Sequence, residues 1–196
     1  LGTDLIKIRT DPDEGGFTAK GENFDAPKYK GLAQSPKVVA IGEIGLDYYY
    51  LPETDGKIKL FKQEQKKLLL KQLELAKKLS LPVIFHCRKA HDDLIKILKE
   101  FGKINGVVHC FTGKWRQAKE YLDMGFYLGF NGIIFKLNLD EIIKKTPLER
   151  ILVETDCPYL TPPGFSEKRN NPLAVKLVAQ RIAEVKNKNF EEISSV

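Results

Sequence analysis

The sequence predicts an α/β fold of the TIM type, a (β/α)8 barrel present in part as about its last five βα units. Three observations predict it. Short apolar runs recur, and strands are expected near 38–43, 82–87, 106–110, 126–130 and 150–155. Helical patterns separate most of these runs, which points to parallel strands. Four runs lead into a titratable or metal-ligating residue: Glu43, His86, His109 and the Glu154-Thr155-Asp156 stretch. In α/β barrels the C-terminal ends of the strands share the face that carries the active site. A closed barrel needs eight strands and typically ~250 residues, so 196 residues suffice for only part of one.

Each element has its own justification. Residues 1–35 are polar and aperiodic, with Asp11-Pro12-Asp13-Glu14-Gly15-Gly16 near the middle, and read as an irregular excursion with a short helix over 26–34. Residues 36–196 read as the barrel domain. Val38-Val39-Ala40-Ile41 reads as a buried strand ending on Glu43 and Asp47. A long amphipathic helix follows over 58–80, burying Phe61, Leu68, Leu69, Leu73, Ala76 and Leu79. The next helix, 92–101, turns Leu94, Ile97 and Leu98 inward, with Gly102 as its C-cap. His91 starts it and reads as a surface or capping residue. Helices over 115–124, 139–145 and 172–186 follow, the last burying Leu173, Leu177, Ala179 and Ile182, and another begins at Phe190. Leu1 in place of methionine leads us to expect a piece of a longer chain.

Composition narrows the function classes. Hydrophobic residues make up 42 % and charged residues 30 % of the chain, as in a soluble globular domain. No apolar run approaches the ~18 residues of a membrane span, and no secretory signal is visible. Three cysteines, an odd number, argue against a disulfide framework and for a reducing, cytoplasmic setting. Cys87, Cys110 and Cys157 each follow an inward-facing strand-end residue, so they are expected to point the other way, as small fillers under the helices. The net charge of +6 suits a polyanion, although the lysines spread over helix faces.

The candidate site is a set of two carboxylates and two imidazoles: Glu43, His86, His109 and Asp156. Together these donors suit divalent Zn, Mn, Fe or Mg, and a carboxylate can bridge two ions. Metal ions lower the pKa of water and stabilise charge on a phosphoryl oxygen. Arg88, on the strand face of His86, reads either as a phosphate anchor or as an ion-pair partner. The loop after Asp156 carries Arg169 and Asn170, either over the site or in a capping turn. Tyr48, Tyr49 and Tyr50 read equally as rim packing or as a surface for stacking bases.

The motifs Gly42-Glu43-Ile44-Gly45-Leu46-Asp47-Tyr48-Tyr49, His86-Cys87-Arg88, His109-Cys110-Phe111-Thr112-Gly113, Glu154-Thr155-Asp156-Cys157-Pro158-Tyr159-Leu160 and Arg169-Asn170-Asn171-Pro172 resemble the TatD-type metal-dependent deoxyribonucleases of the amidohydrolase-like superfamily. The resemblance covers residue 36 to the end, in family order. It implies a TIM-type barrel, two divalent ions (Mg, Mn or Zn) and hydrolysis of DNA phosphodiesters, often from a 3′ end. It implies that Glu43 bridges two metals, that His86 and His109 hold one, and that Asp156 holds the other and acts with Glu43 in catalysis. Arg88, Arg169 and Asn170 would contact phosphate or substrate.

The sequence departs from that family in two places. The His-x-His pair of the family's first strand is absent, the three histidines being His86, His91 and His109, and Lys89 stands where many relatives carry an acid. We expect a fragment of a longer gene. A degenerate homologue, or barrel strands supplied from elsewhere, are the other readings. Two other functions stay open: another metal hydrolase of the superfamily acting on an amide or ester, and an inactive remnant without a complete metal centre.

Overall fold

The computed structural model describes residues 9–10, 18–19 and 24–195. Most of the excursion expected over 1–35 therefore lies outside the described residues. The chain divides into two compact units, Leu1–Gly106 and Val107–Val196.

In the first unit, β1 (Arg9–Thr10) pairs antiparallel with β2 (Thr18–Ala19). Helix α1 (Ala26–Leu32) starts at Asp25, whose side chain accepts the backbone N–H of Lys28 at 3.0 Å, and buries none of its residues. Strand β3 (Ile41–Asp47) runs parallel to β4 (Val83–Arg88), with Gly45 opposite His86 and Asp47 opposite Arg88. Helix α2 (Asp55–Leu79) packs on β3, and α3 (His91–Phe101) packs on β4. Leu46, Leu69, Leu73, Ala76, Phe85 and Leu94 form the core. Each buried leucine contributes about 2 kcal/mol through removal from water.

In the second unit, β6 (Tyr127–Phe130) lies between β5 (Gly106–Val108) and β7 (Ile151–Val153), parallel to both. Helices α4 (Trp115–Asp123), α5 (Asp140–Lys145), α6 (Val175–Lys186) and α7 (Phe190–Ser194) complete it. Phe111, Tyr121 and Phe126 meet edge-on at 6.2 and 6.3 Å between ring centres, a favoured aromatic geometry. Val108, Leu128, Phe130, Ile143 and Ile182 are buried around them.

Several expectations are corrected. The first strand is not 38–43: it starts at Ile41 and runs through both glycines to Asp47, and Val39 is 76 % exposed. Glu43 thus sits inside the strand, not at its end. Leu173 is 75 % exposed, because Pro172–Ala174 form a 3₁₀ turn that breaks the helical phase ahead of α6. Cys87 is buried as expected, but Cys157 is exposed. The left-handed backbone of Asp156 (φ 55°) turns the chain just before it, so strand alternation no longer applies. His91 is buried, at 6 % exposure, where a surface residue was expected. As the first residue of a helix whose apolar side packs on β4, it is carried inward with Leu94 and Ile95.

Candidate metal centre

His86 lies within β4, and its ring is gripped at both nitrogens. Nδ1 is 2.8 Å from Glu43 Oε1, and Nε2 is 3.3 Å from Asp47 Oδ2. Register explains the first contact: both residues lie on neighbouring parallel strands. Burial lowers the pKa of this imidazole, yet the hydrogen bonds to Asp47 and Glu43 and their charges outweigh it, raising it to about 9. The His86 ring thus lies between two carboxylates.

Asp47 is held from three sides. Its backbone N–H donates to Gln65 Oε1 at 2.8 Å, and its carbonyl accepts from Gln65 Nε2 at 2.8 Å. Its Oδ1 accepts the Tyr49 N–H at 2.8 Å. Gly45 permits the close approach of β3 to β4: a Cβ there would lie 1.8 Å from the carbonyl oxygen of His86.

In the second unit, His109 follows β5 and its Nδ1 is hydrogen-bonded to Glu154 Oε2. Glu154 Oε1 accepts from the Cys110 N–H at 2.6 Å and from Asn131 Nδ2 at 3.2 Å. A carboxylate on Nδ1 fixes the ring, the arrangement that orients an imidazole to bind a metal through its other nitrogen. The His109 Nε2 is 3.7 Å from Asp156 Oδ1. Cys110 and Asp156 both have left-handed backbones, φ 46° and 55°, a conformation that is costly outside glycine and clusters at functional sites. Ligand atoms of His109, Cys110 and Asp156 lie within 4.8 Å of one another.

The expected site residues thus fall into two pairs within their units, Glu43 with His86 and His109 with Asp156. Arg88 lies over the ring of Tyr49, 3.6 Å from its centre. Arg169 is exposed on the loop before the Pro172 turn. Asn170 is 4 % exposed, and its Nδ2 donates to the carbonyls of Thr155 and Tyr159, so it fastens the loop that carries Asp156. Asp47, Gln65, Asn131 and Glu154 were not assigned roles from sequence. The acids Asp47 and Glu154 stood inside the quoted motifs. Nothing local marked Gln65, whose partner lies eighteen residues away.

The donors fit a divalent cation. Imidazole and carboxylate together suit Zn or Mn, and a carboxylate already orients His109 as such a ligand requires. Cys110 adds a softer donor than the sequence reading allowed, its Sγ now 3.6 Å from Asn131 Oδ1.

A family model described as TatD related DNase matches residues 17–196. YabD of Bacillus subtilis, an uncharacterized metal-dependent hydrolase, is 46 % identical over 172 residues, which are 85 % of this chain and 65 % of that protein. The 3′-5′ ssDNA/RNA exonuclease TatD of Klebsiella pneumoniae is 40 % identical over 162 residues, 78 % of this chain and 59 % of that one. The crystal structure of YjjV, a TatD homolog from Escherichia coli, superposes with a TM-score of 0.75 at 33 % identity, covering 87 % of this chain and 65 % of that one. The chain therefore spans just under two thirds of the Bacillus relative, its share being 65 %. The fold class is α/β, a TIM-type barrel in part.

Proposed function

The chain belongs to the family of TatD-related DNases, and from that premise we propose that it is a divalent-metal-dependent hydrolase of DNA phosphodiester bonds, cutting from a 3′ end. The observation that carries this reading is the pairing of two histidines with carboxylates, His86 within β4 with Glu43 and His109 just after β5 with Glu154. Exonuclease polarity is taken from the Klebsiella relative, whose name states it.

Glu43, His86, His109 and Asp156 are the proposed donors to two divalent ions, Mg, Mn or Zn. Bound there, such ions supply Lewis acidity and an activated water. Glu154 orients the His109 ring, and Asp47 holds that of His86. Asp156 accepts the proton released by the attacking water. Arg88 and Arg169 offer guanidinium N–H groups to phosphate oxygens, and Asn170 holds the loop that carries Asp156 against the substrate. Residues 1–35 we assign to an excursion and 36–196 to the barrel, working in the cytoplasm. Among the described residues no helix is long and apolar enough to cross a membrane.

The test is manganese-dependent cleavage of a labelled DNA oligonucleotide by wild type and Glu43→Ala, alongside measurement of bound metal. The reading expects cleavage by wild type and none by the variant. Equal activity in both would remove Glu43 from the mechanism. Negligible bound metal in a folded protein would favour a remnant without a working centre, and cleavage of small esters but not DNA would favour another hydrolase.

A further inference from the structure

An aromatic and cationic cluster lies beside His86, and the proposed chemistry gives its tyrosines no task. Tyr49 and Tyr50 are exposed and meet edge to face, with ring centres 4.7 Å apart. The Arg88 guanidinium lies over Tyr49 at 3.6 Å and within 5.9 Å of the Tyr50 ring centre. Lys89 brings its Nζ within 5.0 Å of the Tyr49 ring. Tyr49 and Tyr50 keep 42 % and 43 % of their surface in solvent, and two cations stand over the Tyr49 ring.

The cluster is also rigidly mounted. Tyr48, just before it, is buried, and its hydroxyl donates to Asp93 Oδ2 at 2.9 Å. Lys66 meets the same oxygen at 2.8 Å, and Lys62 lies 4.6 Å over the Tyr48 ring. On the other side, Asp47 takes the Tyr49 N–H with Oδ1 and faces His86 with Oδ2. A single carboxylate thus ties the Tyr49 backbone to the proposed metal-binding imidazole.

We propose that Tyr49, Tyr50 and Arg88 form a stacking platform for an unpaired nucleobase, seating the end of a single strand beside His86. The proposal rests on the nucleic-acid hydrolase reading and adds the group that recognises the strand. Every base has a π-face, so stacking on aromatic rings and on guanidinium holds a single strand without reading its sequence. In a duplex, bases stack on one another and are withheld from such a surface. The cations Arg88 and Lys89 match the phosphates that accompany the base. Because Arg88 already lies over Tyr49, its N–H edge is left for a phosphate while the rings take the base.

The test measures binding by fluorescence anisotropy in EDTA, so that no strand is cut. The probes are a fluorescein-labelled single-stranded DNA oligonucleotide and a matched oligonucleotide carrying abasic residues at its 3′ end. Wild type is expected to bind the abasic probe ~10-fold or more weakly. The double variant Tyr49→Ala/Tyr50→Ala is expected to bind both probes alike, at the abasic level. Tyr49→Phe/Tyr50→Phe is expected to restore the discrimination, which separates stacking from a folding defect. Equal wild-type affinity for the two probes, binding to neither, or discrimination that survives the alanine changes would overturn the proposal. Manganese-dependent cleavage of the intact probe is followed in parallel. Cleavage without discrimination removes the platform and leaves the hydrolase standing, whereas neither cleavage nor binding removes both.

Discussion

The side-chain amide of Gln65 pairs with the backbone of Asp47 in both directions, N–H to Oε1 and Nε2 to carbonyl, each at 2.8 Å. A helix residue thus supplies the last residue of β3 with the hydrogen bonds that a neighbouring strand would give. Gln65→Leu keeps much of the volume but leaves a partly buried donor and acceptor unmatched. We expect a loss of about 2 kcal/mol or more, read as a lower urea midpoint with unchanged slope. A midpoint equal to wild type would show that water replaces Gln65 at no cost.

Glu154 should matter to metal affinity rather than to folding alone. Glu154→Ala frees the His109 ring and deprives the Cys110 N–H and Asn131 of their acceptor. A ~10- to 100-fold weaker metal affinity is expected, measured by zinc or manganese titration calorimetry. His109→Ala should weaken binding at least as much.

Burial pushes the His91 imidazole down to about 4, an effect to which nearby His86 adds and against which Asp92 acts. The folded state therefore binds fewer protons than the unfolded state between about 6.5 and about 4. Stability from neutral His91 is complete above 6.5 and is lost as pH falls through that window. The loss is on the order of 3 kcal/mol at its fullest. His91→Asn should flatten the wild-type decline, followed by urea unfolding at each pH. Parallel pH profiles for the two proteins would count against the assignment.

Ligation should also appear as stability. A divalent ion at a hundredfold excess over its dissociation constant adds about 2.7 kcal/mol if it binds only the folded chain. Thermal unfolding with manganese, then with EDTA, should show the shift and its reversal, and Glu43→Ala should reduce it. An unchanged melting temperature at saturating manganese would mean that the donors hold no ion.

The strands that could be read from sequence are those whose own residues are apolar. Val83 and Phe85 in β4, Val108 in β5, and Leu128 and Phe130 in β6 are buried as the runs predict. β3 was displaced because its backbone pairing runs through glycine and acid, which carry no hydrophobic signal, while the greasier Val38 and Val39 precede it. His86, His109 and Asp156 could be singled out because each follows or interrupts an apolar run. Gln65, Asn131 and the role of Glu154 could not, because their meaning resides in contacts between residues far apart in the chain. The exposure of Leu173 was hidden for a related reason: a single 3₁₀ turn rotates the face that a helical period assigns.

Between β3 and β4 the main chains come so near at Gly45 that even a methyl group would overlap the His86 carbonyl. If every amino acid were tried at this codon and survivors sorted by function, only the wild-type letter should return. Position 45 would then act as a one-residue ruler, setting how far the Glu43 carboxylate stands from its imidazole.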